Sequence, residues 1–204
     1  VTMSVRQSLL AILDQGPCYG YQLRHEFDRR TGARWPLNVG QIYNTLERLE
    51  RDGLVTRLDA DAQGHIYWQI TADGSAEVAR WLSSPVVRTT AVRDEVAIKL
   101  AVAATLPGVD ARAAIRAQRA ETRGHLVRLR AEATTIGDAD DAEQLARSLV
   151  TDSLIFAAEA EDRWLTHLEE RLAAHPRHAL SLGLTQERPK RGRPSKSTGD
   201  AVPI

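Results

Sequence analysis

Residues 38 to 70 constrain this chain more than any other stretch, because the hydrophobic period switches there from helical to extended almost without a gap. Asn38 and Gln41 have capping-box spacing, in which the two side chains satisfy each other's orphan backbone amides. Ile42, Leu46 and Leu49 follow at intervals of four and three, a buried helical stripe. Gly53 suits the left-handed position just past a helix, with Leu54 placed to pack back on the last turn. Leu54, Thr56 and Leu58 then alternate with Val55 and Arg57. Beyond the polar stretch 59–64, Ile66, Trp68 and Ile70 alternate with His65, Tyr67 and Gln69. Two period-two runs around a Gly-containing loop predict a β-hairpin.

The flanks complete the pattern. Ser4 and Gln7 have capping-box spacing before Val5, Leu9, Ile12 and Leu13, which share one helical face up to Gly16-Pro17. A second helix is expected from Tyr19-Gly20 to Thr31-Gly32, turning Leu23 and Phe27 inward. Thr71 is placed to cap a fourth, carrying Val78, Trp81 and Leu82 as far as Ser83-Ser84-Pro85. Three helices, a hairpin and a helix is the order of a winged helix-turn-helix domain, here residues 1–84. A helix about 12 Å across fits a DNA major groove, and its N-terminal amides favour phosphate.

Beyond Pro85 the pattern is helical. Val96 and Leu100 mark a fifth helix closed by Pro107-Gly108, and Asp110 caps a sixth. The sixth repeats at 4-3 spacing through Ile115, Arg119, Thr122, Leu126, Leu129, Ala133 and Ile136. After Gly137, Asp140 and Glu143 have capping-box spacing, and a seventh helix carries Leu154, Ala158, Glu161, Leu165, Leu168 and Leu172. Two heptad-like seams predict an antiparallel helical hairpin that exposes apolar surface unless a second copy covers it. The expected fold is mainly α with a small β-hairpin. A winged helix-turn-helix domain is followed by a helical dimerisation domain over residues 85–176.

Composition narrows the function. The 204 residues carry 27 basic and 27 acidic side chains, and 43% are hydrophobic, a globular mixture rather than a basic coat protein or a charged disordered chain. No run is apolar enough to predict a transmembrane helix, the N-terminus lacks a signal-peptide layout, and one cysteine permits no internal disulfide. A cytoplasmic, nucleoid-associated protein is expected. Neutrality hides an asymmetry: residues 1–83 are one charge negative, 84–185 two negative, and 186–204 three positive.

Three blocks carry a resemblance. The segments 17–23 (PCYGYQL), 39–55 (VGQIYNTLERLERDGLV) and 67–74 (YWQITADG), in this order, resemble the PadR family of bacterial transcriptional regulators. Arg93-Asp94-Glu95 with Lys99-Leu100, and Arg163-Trp164-Leu165, are similar to PadR members with a long C-terminal helical extension. The resemblance implies a homodimeric repressor, occasionally an activator, that places each third helix in the major groove of a palindromic operator. It also implies that some members respond to small aromatic effectors. Carried over by position, Asn38, Gly40, Gln41, Tyr43 and Asn44 lie at the DNA end of the recognition helix. Gln41 and Asn44 have the chemistry to pair an adenine edge or to touch phosphate, Arg48 to bind a phosphate, and Thr45 to meet a thymine methyl or the backbone.

The wing and the tail invert the usual charge layout. The loop 59–65 (DADAQGH) holds two acids and no Lys or Arg, so either it stays off DNA or Gln63, the Gly64 amide and His65 make its contacts. The basic charge lies instead in residues 177–204, expected to be a disordered tail. There Arg191-Gly192-Arg193-Pro194 resembles an AT-hook: Gly lets the backbone approach the groove floor, the arginines extend along it, and Pro holds the chain extended. The alternative is a solubilising or non-specifically DNA-binding tail.

Other chemistry is thinly supported. Cys18 precedes a helix N-terminus but reads as a small buried thiol, and the six histidines show no metal spacing, so neither metal nor cofactor is expected. No phosphate loop, nucleophile elbow or convergent carboxylate pair predicts an enzyme. Trp68 and Trp164 read as core or interface, Trp35 as cover for a helix junction, and Trp81 as core or the lining of an effector pocket for a planar ligand. Two other functions compete with the regulator: an A·T-selective architectural DNA-binding protein, and a protein-interaction adaptor that works through the helical hairpin.

Overall fold

The computed structural model describes residues 3–86, 94–137, 141–174 and 182. Its elements are α1 (Met3–Leu13), β1 (Cys18–Tyr19), α2 (Gly20–Thr31), α3 (Val39–Arg51), β2 (Val55–Ala60), β3 (Ile66–Ile70), α4 (Ala72–Ser83), α5 (Glu95–Thr105), α6 (Ala111–Ile136) and α7 (Ala142–Ala174). This is the mainly helical winged helix-turn-helix architecture, followed by a helical C-terminal region.

The ends of α3 form as the sequence pattern demands. The Asn38 carboxamide oxygen accepts from the Gln41 N–H at 2.8 Å, and the Gln41 Oε1 accepts from the Asn38 N–H at 3.0 Å. At the other end Gly53 adopts φ +74°, with Gly53 N–H donating to Glu50 O and Leu54 N–H to Leu49 O. That bond pair is the Schellman motif, and it drops Leu54 onto the core. Thr71 then ties both ends of the wing together. Its hydroxyl donates to Gly53 O and accepts from Gly74 N–H, so the end of α3 and the start of α4 share one side chain. Gly74 is required there, because a Cβ would lie 2.3 Å from Leu54 O.

The sheet has three strands in the order β1-β3-β2, both pairs antiparallel. The hairpin β2–β3 forms where the two extended runs lie, but the expected alternation does not hold in β2: Val55 alone is buried there, Thr56 and Leu58 are exposed, and the register shifts between Arg57 and Ala60. β1 lies outside those runs, because Cys18 and Tyr19 are too short a stretch to show a period. Val55 and Trp68 point into a single cluster with Leu9, Leu13, Leu23, Phe27, Ile42, Leu46 and Leu49. Leu82, expected on the inner face of α4, is 69% exposed, and Trp81 is half-buried.

Two predicted caps form differently. Ser4 lies inside α1, where its carbonyl accepts from Ser8 Oγ, and Gln7 is buried with its amide donating to Glu77 on α4. Tertiary contact has taken Gln7 from the cap. At α7 the capping carboxylate is that of Asp141, which accepts from Gln144 N–H at 2.8 Å, whereas Glu143 reaches Arg29 on α2. Asp140 lies outside the described residues. The α5 and α6 caps are Asp94 and Asp110.

α6 and α7 form an antiparallel hairpin along the seam that the spacing marks. Ile115, Thr122, Leu126 and Leu129 face Ala158 and Leu165, with Trp164 packed beside Leu165 against Leu100. The open end of the winged region docks on this hairpin. Arg29 pairs with Glu143, Arg34 pairs with Glu132, and Gly32 lies against Arg147.

Candidate nucleic-acid interface

Along α3 the residues divide cleanly by exposure. Ile42, Thr45, Leu46 and Leu49 are buried, whereas Gly40, Gln41, Tyr43, Asn44, Glu47 and Arg48 form the outer face. Thr45, expected to face DNA, is instead 2% exposed with its hydroxyl donating to Gln41 O at 2.7 Å, so its side chain holds the helix rather than reaching a base. Gly40 leaves room beside the cap, since a Cβ would stand 3.3 Å from Asn38 Oδ1.

Gln41 and Asn44 differ in what they have left to offer. A bidentate adenine contact needs both the oxygen and the nitrogen of a carboxamide. The Gln41 oxygen is engaged at Asn38, leaving its NH₂ group as a donor. Asn44 lies exposed on the next part of the same face, and Arg48 follows one turn further on. Glu47 shares that face and passed unremarked in the sequence; a carboxylate there can accept from a cytosine amino group.

Tyr43 is fixed by a glycine on the neighbouring helix. A Cβ on Gly20 would stand 2.7 Å from the Tyr43 ring, so only a bare backbone at the start of α2 lets the phenol lie there. The ring stays 37% exposed. Tyr19, immediately before Gly20, pairs with Tyr67 of β3 and stacks on His65 at a centroid distance of 4.6 Å. The wing and α3 thus meet through Tyr19, the last residue of β1, and Gly20, the first of α2.

The wing loop folds around an acid. Asp61 Oδ1 accepts from the N–H groups of Gln63 and His65 at 2.9 and 2.8 Å, and Oδ2 accepts from His65 Nδ1–H at 3.1 Å. The His65 backbone bond is the largest influence holding the Asp61 carboxyl below its ordinary range. The Gly64 amide, expected to be available for DNA, donates instead to Asp61 O at 2.9 Å, and Gly64 itself turns the chain at φ +82°. Gln63 remains exposed. Arg57, the cation nearest the loop in sequence, is drawn back over the Trp68 ring at 4.7 Å and towards Glu50.

Among the described residues, no group of three or more His, Cys, Asp or Glu side chains is placed to hold a metal ion, and no helix is long and apolar enough to cross a membrane. Cys18 is buried, and desolvation pushes its thiol above the ordinary range. Trp35 is exposed rather than covering a junction. An apolar cleft of about 260 Å³ opens between α5, α6 and α7, lined by Leu100, Ile115, Trp164, Leu168 and Leu172 with Arg171 at its edge. Trp81 does not line it. Arg191, Gly192, Arg193 and Pro194 lie outside the described residues.

An amphipathic third helix with a polar outer face, capped at its N-terminus and followed by a β-hairpin, defines a DNA-binding transcriptional regulator of the winged-helix class. Comparison with known proteins gives the family. The PadR-like transcriptional regulator family matches residues 9–80, and the virulence activator alpha C-terminal family matches residues 92–173. A probable transcriptional regulator of Mycobacterium tuberculosis, Rv1176c, is 30% identical over 189 residues, covering 83% of this chain and 98% of that protein. The chain belongs to the PadR-like family of transcriptional regulators. In fold it is similar to Bacillus subtilis PadR in complex with operator DNA (TM-score 0.61, 18% identity, 84% of this chain and 99% of that one). The same protein with p-coumaric acid gives a TM-score of 0.62 at 20% identity, over 83% and 98% of the two chains. The Vibrio cholerae virulence activator AphA gives 0.59 at 21%, again over 83% and 98%.

Proposed function

We propose that this chain is a homodimeric repressor that seats α3 of each protomer in the major groove of a palindromic operator. The observation that carries this reading is the outer face of α3. In it Asn44 offers a complete carboxamide for an adenine edge, Gln41 a donor, and Arg48 a phosphate contact one turn on. Asn38 and Gly40 form the cap that brings the helix N-terminus against the DNA backbone, and Tyr43 lies beside it. Gln63 and His65 are the wing's contacts. Residues 1–84 read DNA, 85–176 join the two copies, and 177–204 supply Arg191, Gly192, Arg193 and Pro194 to A·T-rich minor grooves flanking the operator. The function is regulatory rather than enzymatic, in the cytoplasm on the nucleoid.

Dimerisation is supported by apolar side chains that the single chain leaves outward: Ile98 and Val102 on α5, Leu149 and Phe156 on α7. A small aromatic effector is supported by the p-coumaric acid complex of PadR. Its candidate sites are Trp81 from the sequence and the Trp164 cleft from the structure.

Footprinting tests the reading. A protected two-fold site with half-sites one or two helical turns apart is expected, and protection that follows A·T content alone selects the architectural alternative. Replacing Asn44 by Ala is expected to cost about 1–3 kcal/mol at one base position, whereas Arg48→Ala weakens all sequences and lowers the salt slope by about one. Unchanged activity after replacing Gln41, Asn44 and Arg48 together selects the adaptor. Removing residues 185–204 is expected to flatten the salt dependence while leaving the two-fold footprint in place.

A further inference from the structure

The wing presents a puzzle that the DNA-binding reading leaves open: a loop expected to approach phosphates carries Asp59 and Asp61, while its neighbouring arginine is turned away onto Trp68 and Glu50. Three observations resolve it. Asp61 is the centre of the loop's hydrogen bonding, accepting from two backbone amides and one imidazole. His65 is oriented on two sides at once, by Asp61 at Nδ1 and by the stacked Tyr19 ring at 4.6 Å and 26°. Finally, Tyr19 immediately precedes Gly20, on which the recognition-helix Tyr43 rests, so the cluster adjoins the face of α3 proposed for the groove.

We propose that Asp61 is a positioning residue for DNA binding: it folds the wing tip and holds the His65 imidazole so that Nε2 meets a backbone phosphate, with the histidine serving as the wing's cation. This rests on the DNA-binding reading above and assigns the chemistry of its wing. A carboxylate can only accept, so the Asp61 contact fixes the proton on Nδ1. In the neutral ring Nε2 is then a lone pair that repels a phosphate. When the ring takes up one proton from solvent, Nε2–H becomes a donor and the cation lies between a carboxylate and a phosphate, against a phenol face. The negative charge of Asp61 therefore supports phosphate binding through the histidine.

The titratable groups around the ring are Asp61 from the loop, Tyr19 from β1 and, beyond Tyr19, Tyr67 from β3. Burial first, then the Asp61 charge, pushes the Tyr67 phenol up, and Asp61 is held down, so across the histidine range the phenol stays neutral and the carboxylate stays ionised. Imidazole is the side-chain type whose ordinary range spans pH 6 to 8, so a comparison across that range reads a histidine contact.

The probe is the tightest duplex that the full-length protein selects from a random-sequence library, with binding measured at pH 6.5 and 8.5 over a salt series. Wild-type affinity is expected to be about tenfold higher at pH 6.5, the scale of one charge-assisted contact, with a salt slope steeper by about 0.9. His65→Gln should remove both differences; a pH dependence that survives it overturns the proposal. Asp61→Ala deletes a negative charge from the wing and yet is expected to weaken binding about tenfold at pH 6.5. Equal or tighter binding overturns it. Asp61→Asn preserves the loop acceptor, so it should match wild type at pH 8.5 and fall short at pH 6.5. If it matches at both, the carboxylate has no role beyond the turn. Selection of no duplex by the wild type sinks the DNA-binding reading and this one together, whereas a pH-independent wild type sinks only this one.

Discussion

The winged region and the helical hairpin are held together in opposite ways. In the first, fourteen buried apolar residues make one cluster to which α1, α2, α3, β1, β2, β3 and α4 all contribute. In the second, among the described residues, the two longest helices, of 26 and 33 residues, supply five buried apolar residues to two separate groups of three, the sixth being Leu100 of α5. Much of the hairpin seam is polar: Arg119 reaches Asp162 and Glu169, and Thr122 and Gln118 both donate to Glu161. The winged region is therefore complete within one chain, and the hairpin is short of apolar burial until another surface covers it.

Breaking the first region should be costly and independent of concentration. Trp68 is fully buried where β3 meets α1, so Trp68→Ala is expected to destabilise the winged region by about 3–5 kcal/mol. The check is denaturant unfolding followed by far-UV circular dichroism at two protein concentrations tenfold apart. An equal loss at both is expected. Leu165→Ala, at the centre of the hairpin's α5-side cluster, should cost about 2–5 kcal/mol, and its midpoint should move with concentration. A concentration-independent midpoint would remove the contrast between the regions.

The same contrast explains what was legible in the sequence. Asn38, Gln41, Gly53 and Thr71 act through bonds within a few residues of themselves or at a helix end, and their roles were readable from spacing. Where a side chain is claimed by something distant in sequence, the local pattern misleads. Gln7 has capping-box spacing yet binds Glu77, and Glu143 has it yet binds Arg29. Thr45 fits a DNA-facing motif, but its place on the helix between Ile42 and Leu46 turns it inward. Tyr19 and Asp61 escaped notice as site residues for the same reason: β1 pairs with a strand about fifty residues away, and an acid in a DNA-facing loop reads as a fault until its hydrogen bonds are seen.

Acid should weaken both regions, each through its own carboxylates. Hydrogen bonds from Arg30 first, then Arg29, hold Glu26 below its ordinary range in the winged region. In the hairpin, burial pushes Asp162 up but bonds from Arg123 and Arg119 outweigh it, leaving it low. A group depressed in the folded state contributes stability above its unfolded value and loses it as pH falls through the folded one. Both regions should thus hold above the carboxylate range and weaken on titration below about pH 4. Glu26→Gln should flatten the acid limb of the winged region alone, and Asp162→Asn that of the hairpin alone, as followed by thermal melts from pH 6 to 3. One shared acid transition, altered equally by either substitution, would show that the regions unfold as a unit.

The smallest expected effect tests the seam where the two regions meet. Arg34 pairs with Glu132 of α6, Arg29 with Glu143 of α7, and Gly32 (φ +61°) brings the end of α2 so close that a Cβ would stand 3.1 Å from Arg147 Cγ. These ion pairs are partly solvated, so each is worth about 0.2–1 kcal/mol, and salt screens them. Their importance is geometric, because the joint sets the direction in which α2, and α3 packed on it, leave the hairpin. Arg34→Glu should lower the melting temperature slightly and widen the distance distribution between spin labels on α3 and α7. Adding Glu132→Arg should restore both, and 0.5 M salt should weaken the difference. If the swap restores stability but not the distance, the pair stabilises the joint without orienting it, and Gly32 packing on Arg147 is left to set the angle.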